Sequence, residues 1–223
     1  MAHTPDQHIV LQSSEGQNLL NGTSIRQTLL LRIFSKQLKS GYCGVHTAAL
    51  LMSARLFGQK YPDERQHCDC DVSDVPFTDT NMFTFKETTR VVTDEVLVKQ
   101  GATLMDIQEL FHQHGIFKQC EIYLTSENNV DDFRSKALAA LSHGDSSQGI
   151  MINFESNFIH GNKSYTYGHL SPLAAYHEAS DRFLLLDTAV QKKEVWVSTE
   201  DIYRKMDTRD PTSGRKRGFL IAR

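Results

Sequence analysis

The hydrophobic pattern of this 223-residue chain changes its period from the first part to the second. Up to about residue 141, apolar residues recur every three or four positions, as they do on the buried face of a helix. From residue 148 onward they come in short runs bounded by turn residues, which is typical of β-strands. This order predicts an α+β fold, with an N-terminal helical part followed by an antiparallel β-sheet.

Three segments of the first part are predicted to be helices. The segment 43–57, CGVHTAALLMSARLF, carries apolar residues at helical spacing. A second helix is announced by the capping-box pattern 103–106 and stopped by Gly115. A third spans 130–141, where apolar residues again recur at helical spacing.

The second part is predicted to consist mainly of strands. Ser198, followed by Asp201, caps one short helix there. The turn-like sequence 178–181 joins two of the strands into a hairpin. The predicted strands are 148–154, 170–176, 182–186 and 218–222.

Composition excludes several classes of protein. Hydrophobic residues make up 39% of the chain and charged residues 23%, which is too apolar for a disordered chain. The formal net charge of -3 argues against a general nucleic-acid binder, which would carry a basic excess. No apolar run approaches about 18 residues, so we expect no transmembrane helix and no membrane partner.

We expect one domain over residues 1–223, because no repeat, low-complexity tract or linker divides the chain. The N-terminus, MAHTPDQHIVLQSSEG, has neither the basic leader nor the apolar stretch of a secretory signal. Four cysteines are too few for a disulfide scaffold in a chain of this length. These features together predict a cytoplasmic protein with free thiols.

Cys43 is the first candidate for chemistry. It begins a predicted apolar helix, so its sulfur should lie near the unpaired N–H groups and the positive end of the helix dipole. That setting lowers the pKa of a thiol and favours the nucleophilic thiolate. The alternative is a small buried side chain at a helix start.

His169 and Asp187 are candidate partners of this thiol. His169 begins a predicted strand, and Asp187 ends the next one. If the two strands pair, Asp187 lies opposite or diagonal to His169 and could hold one of its nitrogens. The other nitrogen would then face Cys43, although a strand-end histidine and a turn carboxylate remain the simpler interpretation of each residue alone.

Five segments resemble the phytochelatin synthase family, papain-like enzymes also called glutathione γ-glutamylcysteinyltransferases. QLKSGYCGVHTAALLMSARLFG resembles the family's nucleophile segment, and GHLSPLAAYHEASDRFLLLDTA resembles its His-to-Asp hairpin. The other matches are SSEGQNLL, GATLMDIQELFHQHG and MDTRDPTSGRKRGFLI, in the family's order. The resemblance spans nearly the whole chain and implies a papain-like fold.

The resemblance implies a catalytic role for four side chains. Cys43 would be the nucleophile, His169 the general base and then acid, and Asp187 the residue that orients His169. Gln37, six residues before the nucleophile, matches the glutamine whose amide donates to the oxyanion. The backbone N–H of Cys43 would be the second donor.

Three further residues match those that bind the γ-glutamyl group. Asp210 and Arg217 match the acidic and basic residues that would face its α-amino and α-carboxylate groups. Asn153 matches a polar residue near the same end of the substrate. Without the resemblance, the charges around Arg217 would be interpreted as a solvated loop.

The chain departs from the family pattern on the acceptor side of the expected cleft. Val190 stands where the family usually has an arginine, and Ser156 where a basic residue is expected. The run QKKEV is about one residue shorter than its counterpart, whereas the loop 156–168 is longer. These changes concern the acceptor and leave the nucleophile segment intact.

The implied reaction is cleavage of the Cys–Gly bond of glutathione through a γ-Glu-Cys thioester on Cys43, with release of glycine. Water would then give γ-glutamylcysteine, and a second glutathione would give phytochelatin; the missing arginine favours hydrolysis. No bound cofactor is implied, and Cd²⁺ or Zn²⁺ would stimulate as thiolate complexes of glutathione. A homodimer is compatible with the sequence, which shows no dimer seam.

Two alternatives remain open from the residues. A papain-like peptidase acting on another peptide or protein would use the same three catalytic side chains. A metal-binding stress module would use His67, Cys68 and Cys70 instead. We predict no resident metal site, because Cys-x-Cys here and His-x-His at 112–114 fit the usual zinc spacings poorly.

Overall fold

The computed structural model describes residues 7–60, 75–143, 148–160 and 163–223. No helix among these residues is long and apolar enough to cross a membrane. The helices are α1 (Ser14–Asn21), α2 (Thr28–Ile33), α3 (Cys43–Lys60), α4 (Lys86–Thr89), α5 (Asp94–Gln100), α6 (Leu104–His114), α7 (Val130–Ser142) and α8 (Thr199–Met206). The strands are β1 (Ile9–Val10), β2 (Cys120–Leu124), β3 (Gly149–His160), β4 (Lys163–His177), β5 (Arg182–Leu185), β6 (Val195–Ser198) and β7 (Gly218–Ala222).

Within these ranges the strands form one antiparallel sheet in the order β1-β6-β5-β4-β3-β7-β2. The predicted α+β class is confirmed. The division into helices and then strands is incomplete, however, because β1 and β2 come from the first part of the chain. Both are edge strands and pair on one side only, so neither shows the fully apolar run of a central strand.

Local capping explains where the helices begin and end. At the start of α6, the Thr103 side chain accepts from the Asp106 N–H and the Asp106 carboxylate accepts from the Thr103 N–H, which is the predicted capping box. Gly115 ends the helix with a φ of 65°, a conformation that favours glycine. The predicted Ser198 cap of α8 is also present, with Asp201 as the donor.

The core forms two buried clusters, and side chains alternate between them along the central strands. On β3, Met151 belongs to the cluster around α3, whereas Ile150 and Ile152 belong to the cluster with α7 and α8. β7 alternates in the same way, as the two-residue period of a strand requires.

Helix α3 is buried on nearly all sides, although one apolar face was predicted for it. Fourteen of its residues are buried, including the polar His46, Thr47 and Ser53. Gly44 lies so close to the sheet that a Cβ built there would be 3.1 Å from Leu170 Cδ1 on β4. This close approach brings the first turn of α3 against the strand that carries His169.

Candidate active site

Cys43 is the first residue of α3 and is 7% exposed. The turn before it includes Gly41, whose φ of 85° is open to glycine and strained for other residues. Gly41 also lies directly against α5, since a Cβ at this position would be 2.3 Å from the Leu97 carbonyl oxygen. The turn around Gly41 therefore packs closely against α5 and places the Cys43 sulfur at the start of α3.

His169 lies on β4 and Asp187 follows the end of β5. The two chain segments continue side by side beyond the sheet: the Leu186 N–H donates to the Pro172 carbonyl at 3.1 Å, and the Thr188 N–H to Ser171 Oγ at 3.2 Å. This places Asp187 Oδ1 2.8 Å from His169 Nε2. Both side chains are buried.

Cys43 and His169 perturb each other's ionisation. Burial pushes the pKa of the Cys43 thiol up, but the charge and hydrogen bond of His169 outweigh it, aided by backbone hydrogen bonds at Leu170 and Gly44. The pKa of the thiol is therefore lowered. Because Nε2 of His169 is occupied by Asp187, Nδ1 is the nitrogen available to the sulfur.

The imidazole shifts in the opposite direction. Burial alone would lower the pKa of His169, but the Cys43 thiolate and the Asp187 carboxylate outweigh it and raise that pKa to about 9. Burial likewise opposes ionisation of Asp187, yet the hydrogen bond with His169 keeps the pKa of this carboxyl lowered. The arrangement favours a thiolate–imidazolium pair at neutral pH.

Gln37 lies in the same cleft as Cys43, on the loop that precedes α3. Its side-chain oxygen accepts from Thr188 Oγ1 at 3.1 Å, and its backbone N–H donates to the Thr188 carbonyl at 2.9 Å. Its amide nitrogen donates to the Lys39 carbonyl at 2.8 Å. An amide nitrogen has two hydrogens, so one remains for an oxyanion.

The cleft has a volume of about 650 Å³ and is lined by Gln37, Cys43 and His169 along with Asn153 and Asp210. Asp210 is 8% exposed, and its carboxylate accepts from the Thr212 N–H at 3.1 Å and from Ser213 Oγ at 2.9 Å. These bonds fix the carboxylate but leave it acceptor capacity toward the cleft.

Arg217 lies behind the cleft wall and is 3% exposed. One of its terminal nitrogens donates to Thr208 Oγ1 at 2.8 Å and to the Arg209 carbonyl at 2.6 Å. Its Nε is buried without a hydrogen-bond partner, as is Asn153 Oδ1. Burial lowers the pKa of Arg217 against the effect of the nearby acids Asp210 and Glu155.

Gly168 is where these two unpaired groups meet. A Cβ at this position would be 3.1 Å from Arg217 Nη2 and 3.6 Å from Asn153 Oδ1. Gly168 immediately precedes His169, so a donor and an acceptor converge beside this histidine. Buried polar groups without partners are costly in a folded protein, and here they indicate a polar ligand.

Three exposed apolar side chains also border the cleft. Leu38, Val98 and Val190 line it and are 68%, 63% and 67% exposed. Val190 is therefore in the cleft, at the position where an arginine was expected. Ser156, the other departure, forms a hydrogen bond with Tyr167, whose ring contacts that of His169 with centroids 5.9 Å apart.

Sequence reasoning missed the residues that hold the loop carrying Gln37 in place. His46 Nε2 contacts the Ser35 carbonyl at 2.8 Å, and Asp79 Oδ2 accepts from the Leu38 N–H at 2.7 Å. His46 Nδ1 lies 3.4 Å from the same Asp79 oxygen. His46 lies one helical turn after Cys43, so the sequence could have placed it near the site. No pattern in the neighbouring residues connects His46 to Asp79.

Lys36 was missed as well. Its Nζ donates to the Asp187 carbonyl at 2.6 Å and pairs with Glu194 at 2.5 Å. The loop that carries Gln37 is thus tied to the segment that carries Asp187. Gln37 and Asp187, which were predicted separately, therefore lie on segments that this lysine connects.

Metal ligands do not cluster in the part of the chain that the structure describes: it holds no group of three or more His, Cys, Asp or Glu side chains suited to a metal ion. His67, Cys68 and Cys70 lie outside the described residues. His114 bonds Thr88 Oγ1 at 2.9 Å and contacts two aromatic rings, which is a packing role.

Comparisons with known proteins agree with the resemblance found in the sequence. A family model described as phytochelatin synthase matches residues 1–219. Glutathione gamma-glutamylcysteinyltransferase 1 of Arabidopsis thaliana is 25% identical, over 96% of this chain and 41% of that protein. Glutathione gamma-glutamylcysteinyltransferase 3 of Lotus japonicus is 25% identical, over 86% of this chain and 36% of that protein.

The chain therefore spans about two-fifths of the length of these curated relatives. Among solved structures, a putative C39-like peptidase from Bacillus anthracis matches with a TM-score of 0.46 and 10% identity, over 98% of both chains. The family match covers almost the entire sequence. The chain belongs to the phytochelatin synthase family.

Proposed function

We propose that this chain is a thiol enzyme that cleaves the Cys–Gly bond of glutathione through a γ-Glu-Cys thioester on Cys43. The observation that carries the proposal is the hydrogen-bonded series Cys43, His169 and Asp187, at a cleft where Arg217 and Asn153 keep buried polar atoms unpaired. Family membership supports the same activity. We further propose that residues 1–223 form one catalytic domain.

In the first stage, the Cys43 thiolate attacks the carbonyl carbon of the Cys–Gly amide. The developing oxyanion would accept from the free amide hydrogen of Gln37 and from the Cys43 N–H. The His169 imidazolium gives its proton to the leaving glycine nitrogen as the C–N bond breaks. Asp187 holds His169 in the orientation that this transfer needs.

The γ-glutamyl end of glutathione accounts for the unpaired polar groups. Its α-carboxylate would accept from Arg217 Nε, and its α-ammonium would donate to Asp210 and to Asn153 Oδ1. Such charge-assisted hydrogen bonds are roughly twice as strong as neutral ones. Binding therefore satisfies atoms that the free protein leaves without partners.

In the second stage, neutral His169 takes a proton from the acceptor, which then attacks the thioester and releases Cys43. Water gives γ-glutamylcysteine; the amino group of a second glutathione gives phytochelatin and forms a new amide bond. Val190, on the exposed rim of the cleft, offers no guanidinium to bind a carboxylate of the acceptor, and the nearby Lys39 is paired with Asp94. We therefore propose that hydrolysis dominates.

The metal ions belong to the substrate in this proposal. Cd²⁺ or Zn²⁺ would stimulate turnover as thiolate complexes of glutathione, and the protein needs no bound cofactor. Stimulation by the metal complex should then depend on glutathione concentration, because the complex is what binds.

The test is incubation with glutathione, with and without Cd²⁺, followed by mass spectrometry of the products. We expect glycine and γ-glutamylcysteine as the main early products, and none from Cys43→Ala. Peptides with two γ-Glu-Cys units as the main early product would overturn the hydrolase part alone. No turnover would overturn the proposal.

A papain-like peptidase acting on proteins is the competing function, and Arg217→Ala separates the two. Loss of a charged hydrogen bond to substrate costs about 1.5–3 kcal/mol, so glutathione turnover should fall at least about tenfold. Cleavage of a protein substrate such as casein would survive, because it does not use a γ-glutamyl carboxylate. Casein cleavage by the parent enzyme without glutathione turnover would favour the peptidase.

A further inference from the structure

A second cavity of about 270 Å³ adjoins the catalytic cleft. Asn153 and Asp210 line both spaces. The walls also continue from one to the other: residues 100–102 and 210–212 border the cleft, and residues 103–105 with Ser213, Arg215 and Lys216 border the second cavity. The two spaces are thus successive parts of one groove between the same chain segments.

Asp210 is the residue that we assign to the α-amino group of the γ-glutamyl unit, and it stands at the junction. An acyl group attached to that nitrogen would extend past Asp210 and away from Cys43. The second cavity is reached past the same residue, because Asp210 borders both spaces whereas Cys43 and His169 border only the cleft. Asn153 Oδ1, buried and unpaired at the same junction, can accept from a substrate N–H.

The second cavity has one acidic and one basic side chain in its lining that are available to a ligand. Glu127 and Arg215 both line it, and neither side chain has an ion pair or hydrogen bond with another described residue. The neighbouring Lys216 is already paired with Asp207 at 2.9 Å. A free amino-acid terminus brings one ammonium and one carboxylate, which match a carboxylate and a guanidinium.

The remaining wall is apolar. Leu104, Ile122 and Leu124 form it with Met105, which is 39% exposed. A thioether and aliphatic side chains suit a cysteinyl side chain, which behaves as a small hydrophobic group. The second cavity therefore combines an amide acceptor at the junction with an apolar wall and a pair of opposite charges.

We propose that this cavity is a subsite for a γ-glutamylcysteinyl unit linked to the α-amino nitrogen of the donor, so that the enzyme also takes longer γ-glutamyl peptides as substrates. The proposal rests on the proposed function. With γ-Glu-Cys-γ-Glu-Cys-Gly, Cys43 attacks the final Cys–Gly carbonyl and glycine leaves with a proton from His169. Water then hydrolyses the thioester to give the peptide without glycine.

The test compares glycine release from glutathione and from this five-residue peptide. For the parent enzyme we expect glycine from both peptides, with a lower kcat/KM for the longer one, since the extension adds contacts but removes the ammonium that would pair with the buried Asp210 carboxylate. Met105→Trp should fill the cavity and lower kcat/KM for the longer peptide at least about tenfold. The kcat/KM for glutathione, whose α-amino group reaches only as far as Asp210, should not change in Met105→Trp.

A second variant removes one charge from the cavity and is expected to have a smaller effect. Arg215→Ala should raise KM for the longer peptide about two- to fivefold, the effect of one solvent-exposed ion pair, and leave glutathione unchanged. Lys118→Ala is the matched control, because Lys118 is exposed and lines neither space. N-acetylglutathione, which reaches Asp210 but not the charges, should be insensitive to Arg215→Ala.

The outcomes separate the two proposals. Glycine from glutathione but none from the longer peptide overturns the subsite alone. Turnover of the longer peptide that neither Met105→Trp nor Arg215→Ala changes also overturns the subsite. Glycine from neither peptide overturns the proposed function, and the subsite falls with it.

Discussion

At the scale of single residues, Cys43 and His169 shift each other's pKa in opposite directions, whereas Cys120 has no such partner. Burial raises the pKa of Cys120 to about 11, so this thiol stays protonated through the physiological range. Cys43 is more buried yet has a lowered pKa. The difference arises from the neighbouring charge and not from exposure.

We therefore predict that iodoacetamide labels Cys43 in preference to Cys120 at about pH 6, because only thiolates react appreciably. Peptide mapping by mass spectrometry gives the rate at each site. In His169→Ala the preference should disappear, since the charge that lowers the Cys43 pKa is gone. Equal labelling of the two sites in the parent enzyme would contradict the ion pair.

The thiolate–imidazolium pair also predicts a pH profile. His169 is charged below its pKa of about 9, so acylation by glutathione should decline as pH rises through that value. On the acid side, acylation should decline only as pH falls through the lowered pKa of Cys43. Single-turnover glycine release across pH measures both limbs, and a rate that kept rising above about pH 9 would contradict this assignment.

Asp79 is a buried acid that can position Gln37, the oxyanion donor that we propose. It holds the Leu38 N–H, next to Gln37. Asp79→Asn should lower kcat for glycine release about tenfold with KM unchanged, part of the effect of losing one oxyanion donor. Asp106→Asn, in the α6 capping box, is the matched control and should lower stability by about 1 kcal/mol with kcat unchanged.

At the scale of the elements, the packing of α3 on β4 sets the geometry between nucleophile and base. A Cβ at Gly44 would be 3.1 Å from side-chain carbons of Ala102, Ile107 and Leu170. These contacts are too tight for a methyl group without movement of α3 or of its neighbours. Gly44 is therefore the place where the distance between helix and sheet can be changed.

Gly44→Val should separate α3 from β4, cost about 1–3 kcal/mol in stability and lower kcat further than the stability loss explains. Ala54→Gly, on the buried part of the same helix, is the control. It should cost about 1 kcal/mol through helix propensity and leave kcat intact. Thermal denaturation and steady-state kinetics of both variants test this, and parallel losses of kcat in the two would contradict it.

At the scale of the whole molecule, the cleft has two ends of different chemistry. The end around Asp210 and Arg217, where we propose that the γ-glutamyl group binds, is charged and buried, whereas Val190 on the rim is apolar and exposed. This asymmetry predicts that donor binding and acceptor choice can be changed separately.

Val190→Arg should increase the share of peptides with two γ-Glu-Cys units by about two- to fivefold, because an exposed guanidinium can pair with the acceptor carboxylate. The rate of glycine release from the first glutathione should stay within about twofold, since Val190 does not contact the donor end. Val190→Leu is the control for side-chain size. If the ratio of longer peptides to γ-glutamylcysteine were unchanged in Val190→Arg, the apolar side chain at this position would not be what favours hydrolysis.

The sequence allowed several features to be predicted because each depends on neighbouring residues. The capping box at Thr103, the stop at Gly115 and the hairpin that carries His169 and Asp187 are of this kind. The edge strand β2 was missed, since its burial comes from pairing with β7 nearly a hundred residues later and not from its own pattern.

The sequence by itself determined the α+β class, the helix that begins at Cys43 and, through family resemblance, the order of the catalytic candidates. Hydrophobic period and capping act over a few residues, so they are visible in any window of the chain. Only the tertiary structure decided that Arg217 Nε and Asn153 Oδ1 stay unpaired beside Gly168, and that Lys36 and Asp79 hold the loop that carries Gln37. These are contacts between distant segments, and their partners are set by how the sheet and α3 pack.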